Sequence, residues 1–342
     1  MVKVSVIIAA YNIENYIDKC IQSILNQTLI DIEVIVVNDG STDNTLNKIM
    51  KYKDLDTRIV VINKENGGVQ SARNEGLKIA RGKSILFVDG DDWLERDALE
   101  NLYNELENNK LDIVCYGYYQ FIEGKEKIEF KNEHNVIYQD IQFLDAVLKN
   151  RVIPSLCCKL LRKKFLEDNN IVLPENIAFG EDLATTVELA CYYPKVSIIN
   201  KSYYYYYTRI DSVTNKITDK ALDLFKAFDY IKRILIKNKF YNEFEEEYKF
   251  LAYYHLYFER IVGQTSFNRT HKKFYSMCNE RNINKVNSKY LEEFRDSLSL
   301  NLKIWIRLYE HNYILAIGLI SCWKQISVLK KNLLRTNKSL WI

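Results

Sequence analysis

Along the first 95 residues, short apolar runs alternate with amphipathic stretches. Val4 to Ala10 is apolar and β-branched apart from Ser5, the pattern of a strand covered on both faces. Tyr16, Ile17, Cys20, Ile21, Ile24 and Leu25 then recur at helical spacing. Glu33 to Val37 predicts a second buried strand, Thr45 to Tyr52 a helix and Arg58 to Ile62 a third strand. Ser71 to Ala80 predicts a helix and Ser84 to Asp89 a fourth strand. Strand–helix–strand repeats with short connections predict an α/β fold, a parallel sheet with helices on both faces. Ligands of such sheets bind outside the carboxyl ends of the strands.

Glycine and proline placement divides the rest. Eight of the eleven glycines precede residue 125, and Pro154, Pro174 and Pro194 sit mid-chain. Residues 195–342 hold no proline and only Gly263 and Gly318, so that segment should be mostly helical. Leu222, Phe225, Phe228, Ile231, Ile234 and Leu235 mark one amphipathic helix there, and Phe250 to Ile261 another.

Composition mainly excludes. The chain has 342 residues, 47% hydrophobic and 27% charged, enough apolar surface for a large core. Seven cysteines without a CxxC pair and four scattered histidines suggest neither a disulfide scaffold nor a zinc module. A net charge of +3 gives no case for a nucleic-acid partner. Met1 leads straight into a strand, so no secretory leader is expected, and no apolar run is long enough for a membrane-spanning helix.

Candidate chemistry lies at the strand ends. Asp89, Gly90, Asp91 and Asp92 follow the fourth strand, and Trp93 and Leu94 should lead into a helix. Carboxylates beside a glycine suit a hard cation, Mg²⁺ or Mn²⁺, which could neutralise a diphosphate leaving group. Helix capping is the plainer alternative, and Asp92 is the expected cap. Asn38 to Asp43 follows the second strand; its Asp39 could accept from a base N–H, or the segment could be an Asx turn before a helix. Gly67 to Gly76 is a glycine-rich entry to a helix without the GxGxxG or Walker A pattern. Within it Arg73 can bind a base or phosphate, or can be an ordinary surface arginine. Glu181 and Asp182 open a helical pattern and can supply a general base, or can simply complement the helix dipole.

Val4 to Asn12, Val36 to Asp43, Ala72 to Gly76 and Phe87 to Asp92 together resemble the family 2 glycosyltransferases, in order and spacing. The resemblance covers about residues 3–215. It implies a GT-A fold, Rossmann-like and mostly parallel, as a catalytic domain over residues 1–215, followed by a helical region over 216–342. It implies a UDP-sugar donor and inversion at the anomeric carbon. Carried over residue by residue, Ala9 binds the donor, Tyr11 stacks on or borders the base and Asp39 accepts the uracil N–H. Arg73 helps hold the nucleotide, Gly90 binds the donor, Asp89 faces the ribose, and Asp91 with Asp89 holds the metal. Asp182 is the implied base, with Glu181 beside it. Gly90 stands where the family usually has serine. Lys159 to Arg162 and Tyr207 to Ser212 resemble weaker elements near the acceptor.

Residues 300–342 carry seven basic residues and one acid, Glu310. Tyr313 to Trp323 is apolar and is followed by Lys324, Lys330, Lys331, Arg335 and Lys338. This suits a helix lying on an anionic membrane, at the inner face of the cytoplasmic membrane. Packing on the catalytic domain or in a homodimer is the competing reading. The expected acceptor is then a glycan or lipid-linked saccharide of the cell surface. Two other functions compete: a nucleotidyltransferase, whose lysine-bearing phosphate loop is missing near Tyr11, and a non-catalytic assembly protein on a retained fold.

Overall fold

The computed structural model describes residues 1–320 apart from 123–126, 132–133, 209–218 and 264–266. Arg209 to Ser212 and the basic residues from Lys324 to Lys338 lie outside the described residues. The chain divides into two compact units, 1–245 and 246–342.

The first unit is built on one mixed sheet. Its strands are β1 (Val4–Ala10), β2 (Ile32–Asp39), β3 (Ile59–Lys64), β4 (Ser84–Asp89), β5 (Trp93–Leu94), β6 (Ile113–Phe121), β7 (Ile128–Phe130), β8 (Val136–Tyr138), β9 (Lys159–Arg162) and β10 (Val196–Tyr207). The order is β3-β2-β1-β4-β9-β6-β10-β5, with β7 beside β6 and β8 beside β10. β3, β2, β1 and β4 are mutually parallel, as the apolar runs predict. β9 enters antiparallel between β4 and β6, and β10 is parallel to β6. The chain moves outward from β1 to β2 and β3, then returns to β4 on the other side of β1. The crevice between β1 and β4, where Ala9 pairs with Asp89, is therefore the topological switch point.

Helices cover both faces. The helices of this unit are α1 (Ile17–Leu25), α2 (Thr45–Leu55), α3 (Val69–Ile79), α4 (Ala98–Asn108), α5 (Gln142–Leu148), α6 (Lys163–Asp168), α7 (Glu181–Ala190) and α8 (Asp223–Lys237). Val4, Val6 and Ile8 of β1 share a core with Ile17 and Ile21 of α1 and Leu99 and Leu102 of α4. Ile7, pointing the other way, meets α3. There Gly76 allows close contact, since a Cβ would stand 2.4 Å from Ile7 Cγ2. Trp93 and Leu94 form β5 against Tyr205 and Tyr204 instead of opening a helix. α8, whose apolar stripe begins beyond residue 215, belongs to the first unit; its Tyr230 hydroxyl donates to Glu188 of α7 at 2.6 Å.

The second unit is helical. α9 (Glu245–Ala252) runs into a π-helical stretch, Tyr253–Val262, followed by α10 (Arg269–Glu280), α11 (Lys289–Ser297), α12 (Leu300–His311) and helical residues 313–320. Its core is aromatic, with Tyr253, Tyr257, Phe274 and Tyr309 buried. His271 is buried among them, and burial lowers its pKa. Its Nε2 bonds the Ile261 carbonyl and its Nδ1 the Tyr313 hydroxyl.

Candidate active site

The β4 end is a tight turn. The Asp92 N–H donates to the Asp89 carbonyl at 2.9 Å, and the Gly90 N–H donates to the Ala9 carbonyl at 3.1 Å. Ala9 thus bears on the site through its backbone. A Cβ on residue 90 would stand 2.3 Å from Ile13 Cδ1 and 3.0 Å from the Ala9 oxygen, so glycine matches the local packing. Asp89 and Asp91 stay partly accessible, while Asp92 is buried. Tyr204 donates to Asp92 Oδ2 at 2.6 Å, and the Tyr207 N–H donates to Asp92 Oδ1 at 2.7 Å. Burial, then the Asp91 and Asp89 charges, push the Asp92 carboxyl well above the usual range. The expectation that Asp92 caps a helix is therefore corrected. Helix α4 starts at Ala98, after β5, and β10 draws the Asp92 side chain inward.

Asp39, at the end of β2, is also buried. Its Oδ1 accepts from Lys64 Nζ at 2.8 Å and from the Gly67 N–H at 2.9 Å. Its Oδ2 accepts from the Gly68 N–H at 2.8 Å, leaving a lone pair on that oxygen for a further donor. Asp39 therefore organises the glycine-rich turn. Tyr11 stands half exposed on the β1 loop. That loop is stitched to the β2 loop: Asn12 Oδ1 accepts from the Thr42 N–H, and the Asn12 N–H donates to Ser41 Oγ.

Arg73 is no surface residue. It leaves α3 on the sheet side and is 1% exposed. One guanidinium nitrogen donates to Asp89 at 2.9 Å and the other to Asp182 at 2.7 Å. Against burial, which opposes its charge, Asp182 and Asp89 hold the guanidinium well above its ordinary pKa. A fork with two donor ends suits this double pairing. Two segments 93 residues apart in sequence are thereby joined, the β4 end and the α7 N-terminus.

Asp182 and Glu181 occupy the first turn of α7, so their charges also complement the helix dipole. The second Asp182 oxygen accepts from the Leu156 N–H at 3.0 Å. Burial, then the Asp182 charge, push the Glu181 carboxyl up to about 7. Leu156 and Tyr204 are site residues that no motif announced: Leu156 acts through its backbone, and Tyr204 hides in a run of five tyrosines.

Among the described residues no group of three His, Cys, Asp or Glu side chains forms a closed metal cage. Asp89 and Asp91 instead offer two oxygen donors at an open strand end. That donor set fits Mg²⁺ or Mn²⁺, which commonly takes one or two carboxylates and completes its shell with phosphate oxygens and water. One Asp89 oxygen also accepts from Arg73, so a cation there would share that carboxylate with the guanidinium.

The sequence profile described as "Glycosyl transferase family 2" matches residues 5–169. The chain is 30% identical over 309 residues to the cholesterol galactosyltransferase of Borreliella burgdorferi, covering 86% of this chain and 85% of that protein. It is 33% identical over 227 residues to the glycosyltransferase GlyA of Streptococcus pneumoniae, covering 64% of this chain but 32% of that longer protein. The structure of Staphylococcus aureus TarS 1–349 in complex with UDP-GlcNAc superposes with a TM-score of 0.67 at 20% identity, over 94% of this chain and 92% of that one. The last likeness is one of fold.

Proposed function

The chain belongs to glycosyl transferase family 2, and on that premise we propose that it moves a hexose or N-acetylhexosamine from a UDP-sugar to a glycan or lipid-linked saccharide in bacterial cell-surface polysaccharide assembly. The UDP-GlcNAc carried by TarS supports a UDP-sugar donor. A relative named as a cholesterol galactosyltransferase supports an acceptor of lipid character.

The observation that carries the mechanism is Arg73 between Asp89 and Asp182. It supports a site with its leaving-group side at the β4 end and its base at the α7 N-terminus. In the proposed reaction the acceptor oxygen attacks the anomeric carbon directly and the bond from that carbon to the diphosphate breaks. Asp182 takes the acceptor proton on a lone pair that Arg73 and Leu156 leave unused, and inversion follows from the single displacement. Glu181 lies beside it as a second carboxyl whose protonation changes near neutrality. Asp39 accepts the uracil N–H, with Tyr11 at the base, Ala9 and Gly90 at the donor and Arg73 fixing the site from below. Asp89 and Asp91 would hold a divalent cation, which when bound neutralises charge developing on the diphosphate.

We also propose that the second unit rests on an anionic membrane surface at the cytoplasmic face. Ile314 is 81% exposed, Leu300 73%, and Leu315, Leu319 and Ile304 also face solvent. Residues 313–320 contain no charged side chain, so this helix offers apolar surface on its outer side as well. No helix among the described residues is long and apolar enough to cross a membrane. Exposed Arg307 and the basic residues from Lys324 onward suit anionic headgroups.

The test uses the full chain with UDP-glucose, UDP-galactose and their N-acetyl forms, each with Mn²⁺, Mg²⁺ or EDTA. UDP should raise the melting temperature in a cation-dependent way, and one donor should give product of inverted configuration by NMR. Asp182→Asn should keep UDP binding and lose about 10²–10⁴-fold in turnover. Full activity in that variant, or a retained anomeric configuration, overturns the mechanism.

A further inference from the structure

Lys159, the first residue of β9, is 0% exposed. Its ammonium donates to the Ile153 carbonyl at 2.6 Å and to the Ser155 carbonyl at 3.0 Å. Among the described residues no ion pair joins it to a carboxylate. Taking an uncompensated charge out of water is costly, and a methionine of similar length would fill the same slot. Packing alone therefore does not account for this side chain. The explanation lies in the segment it holds.

Four consecutive residues are pinned, and the pins alternate. The carbonyls of Ile153 and Ser155 go to Lys159. The carbonyl between them, Pro154, accepts from Thr186 Oγ1 at 2.7 Å. Thr186 lies four residues after Asp182, one turn along α7. The next N–H, that of Leu156, donates to Asp182. Proline cannot donate an N–H, so carbonyls and one amide do all the fastening. The segment is thus clamped from β9 on one side and from α7 on the other.

We propose that Lys159 is a positioning residue for Asp182: by gripping the carbonyls of Ile153 and Ser155 it fixes the segment that aims the Leu156 N–H at the Asp182 carboxylate. Arg73 sets one oxygen of that carboxylate and Leu156 the other. With both fixed, the rotamer is locked and the remaining lone pair on each oxygen has a set direction. The proposal rests on the reading of Asp182 as the base. Geometry of this kind matters because displacing a reacting group by about 1 Å can cost about 100-fold in rate.

The experiment compares Lys159→Met, Thr186→Val, Asp182→Asn and the Lys159→Met/Asp182→Asn double variant. The readouts are transfer kinetics, UDP affinity and melting temperature. Lys159→Met should lower kcat about 10- to 100-fold while KM for the donor and UDP affinity stay within about twofold. Thr186→Val, which removes a different pin of the same segment, should lower kcat in the same sense and keeps the test available if Lys159→Met fails to fold. In the Asp182→Asn background, Lys159→Met should add little, because the residue it positions is already lost. Unchanged kcat in both pin variants overturns the proposal. So does a full additional loss in the double variant, which marks a general structural lesion. Full activity of Asp182→Asn alone instead sinks the base assignment, and is read separately.

Discussion

Replacing Arg73 by methionine should destabilise the first unit and silence the site together. The guanidinium is fully buried and makes ion pairs of 2.9 Å and 2.7 Å. With charge centres about 4 Å apart and an effective dielectric near 20, each pair is worth about 4 kcal/mol before desolvation is charged against it. Removing one partner of a buried pair typically costs about 3–5 kcal/mol, because the other charge stays behind unpaired. Here Asp89 and Asp182 keep 34% and 22% of their side-chain exposure, so water offsets part of that loss. A net cost of about 2–4 kcal/mol remains. At about 2–4 °C per kcal/mol for a unit of this size, the melting temperature should fall roughly 5–15 °C. Arg73→Lys keeps the charge but offers no fork, and should recover only part of the difference. Adding Asp182→Asn to Arg73→Met should cost less than the sum of the two changes, since one stranded carboxylate is removed. The assay is calorimetry of the full chain at pH 7, paired with transfer rates. A methionine variant melting within 1 °C of the parent, or a lysine variant matching it in both readouts, would refute the bridge as the organiser of the site.

Three further outcomes follow from the same geometry. Glu181, raised from its ordinary value to about 7, holds a proton more tightly in the folded chain than in the unfolded one. Its contribution to stability is therefore complete below about pH 4.5 and is lost as pH rises through about 7. Glu181→Gln should gain on the parent by on the order of 1–3 kcal/mol between pH 5 and pH 8, and parallel melting curves across that range would contradict the assignment. Asp39→Asn cannot accept from Lys64 and both glycine amides as a carboxylate does, so UDP affinity by titration calorimetry should fall at least about tenfold. Ile314→Glu with Leu319→Glu should reduce sedimentation with phosphatidylglycerol vesicles several-fold without lowering transfer to a soluble acceptor; undiminished binding would remove this face from the membrane reading.

The β3-β2-β1-β4 part of the sheet was legible because each of these strands carries a run of at least three consecutive apolar residues, with polar residues at or just after its carboxyl end. Right-handed connection fixes the hand of each crossover, but not the order β3-β2-β1-β4, which rests on the pairing of β1 with both β2 and β4. β9 was not legible: Lys159 to Arg162 is two leucines between cations, and its place between β4 and β6 is settled by distant pairing. The motif residues lie near the strand ends and helix starts, as their spacing suggests. Their partners escaped notice. Nothing local distinguishes Asp92, buried under Tyr204, from Asp91 one position earlier. Arg73 read equally well as a surface residue, because its ion pairs come from residues 16 and 109 positions away. Leu156 contributes an amide, which every residue but proline owns.

Gly76 carries no functional group, yet it sets the reach of one that does. It follows Arg73 by three residues, so the two share a side of α3. Its bare Cα lets the helix settle onto Ile7, where any Cβ would come within 2.4 Å of the isoleucine. An alanine there would favour the helix itself by about 1 kcal/mol. It would also hold α3 off the sheet unless Ile7 gave way. The guanidinium would then be withdrawn from both carboxylates by much the same step. The spacing between a helix and a strand thus acts as a ruler for the chemistry above it, and a methyl group is enough to change its length.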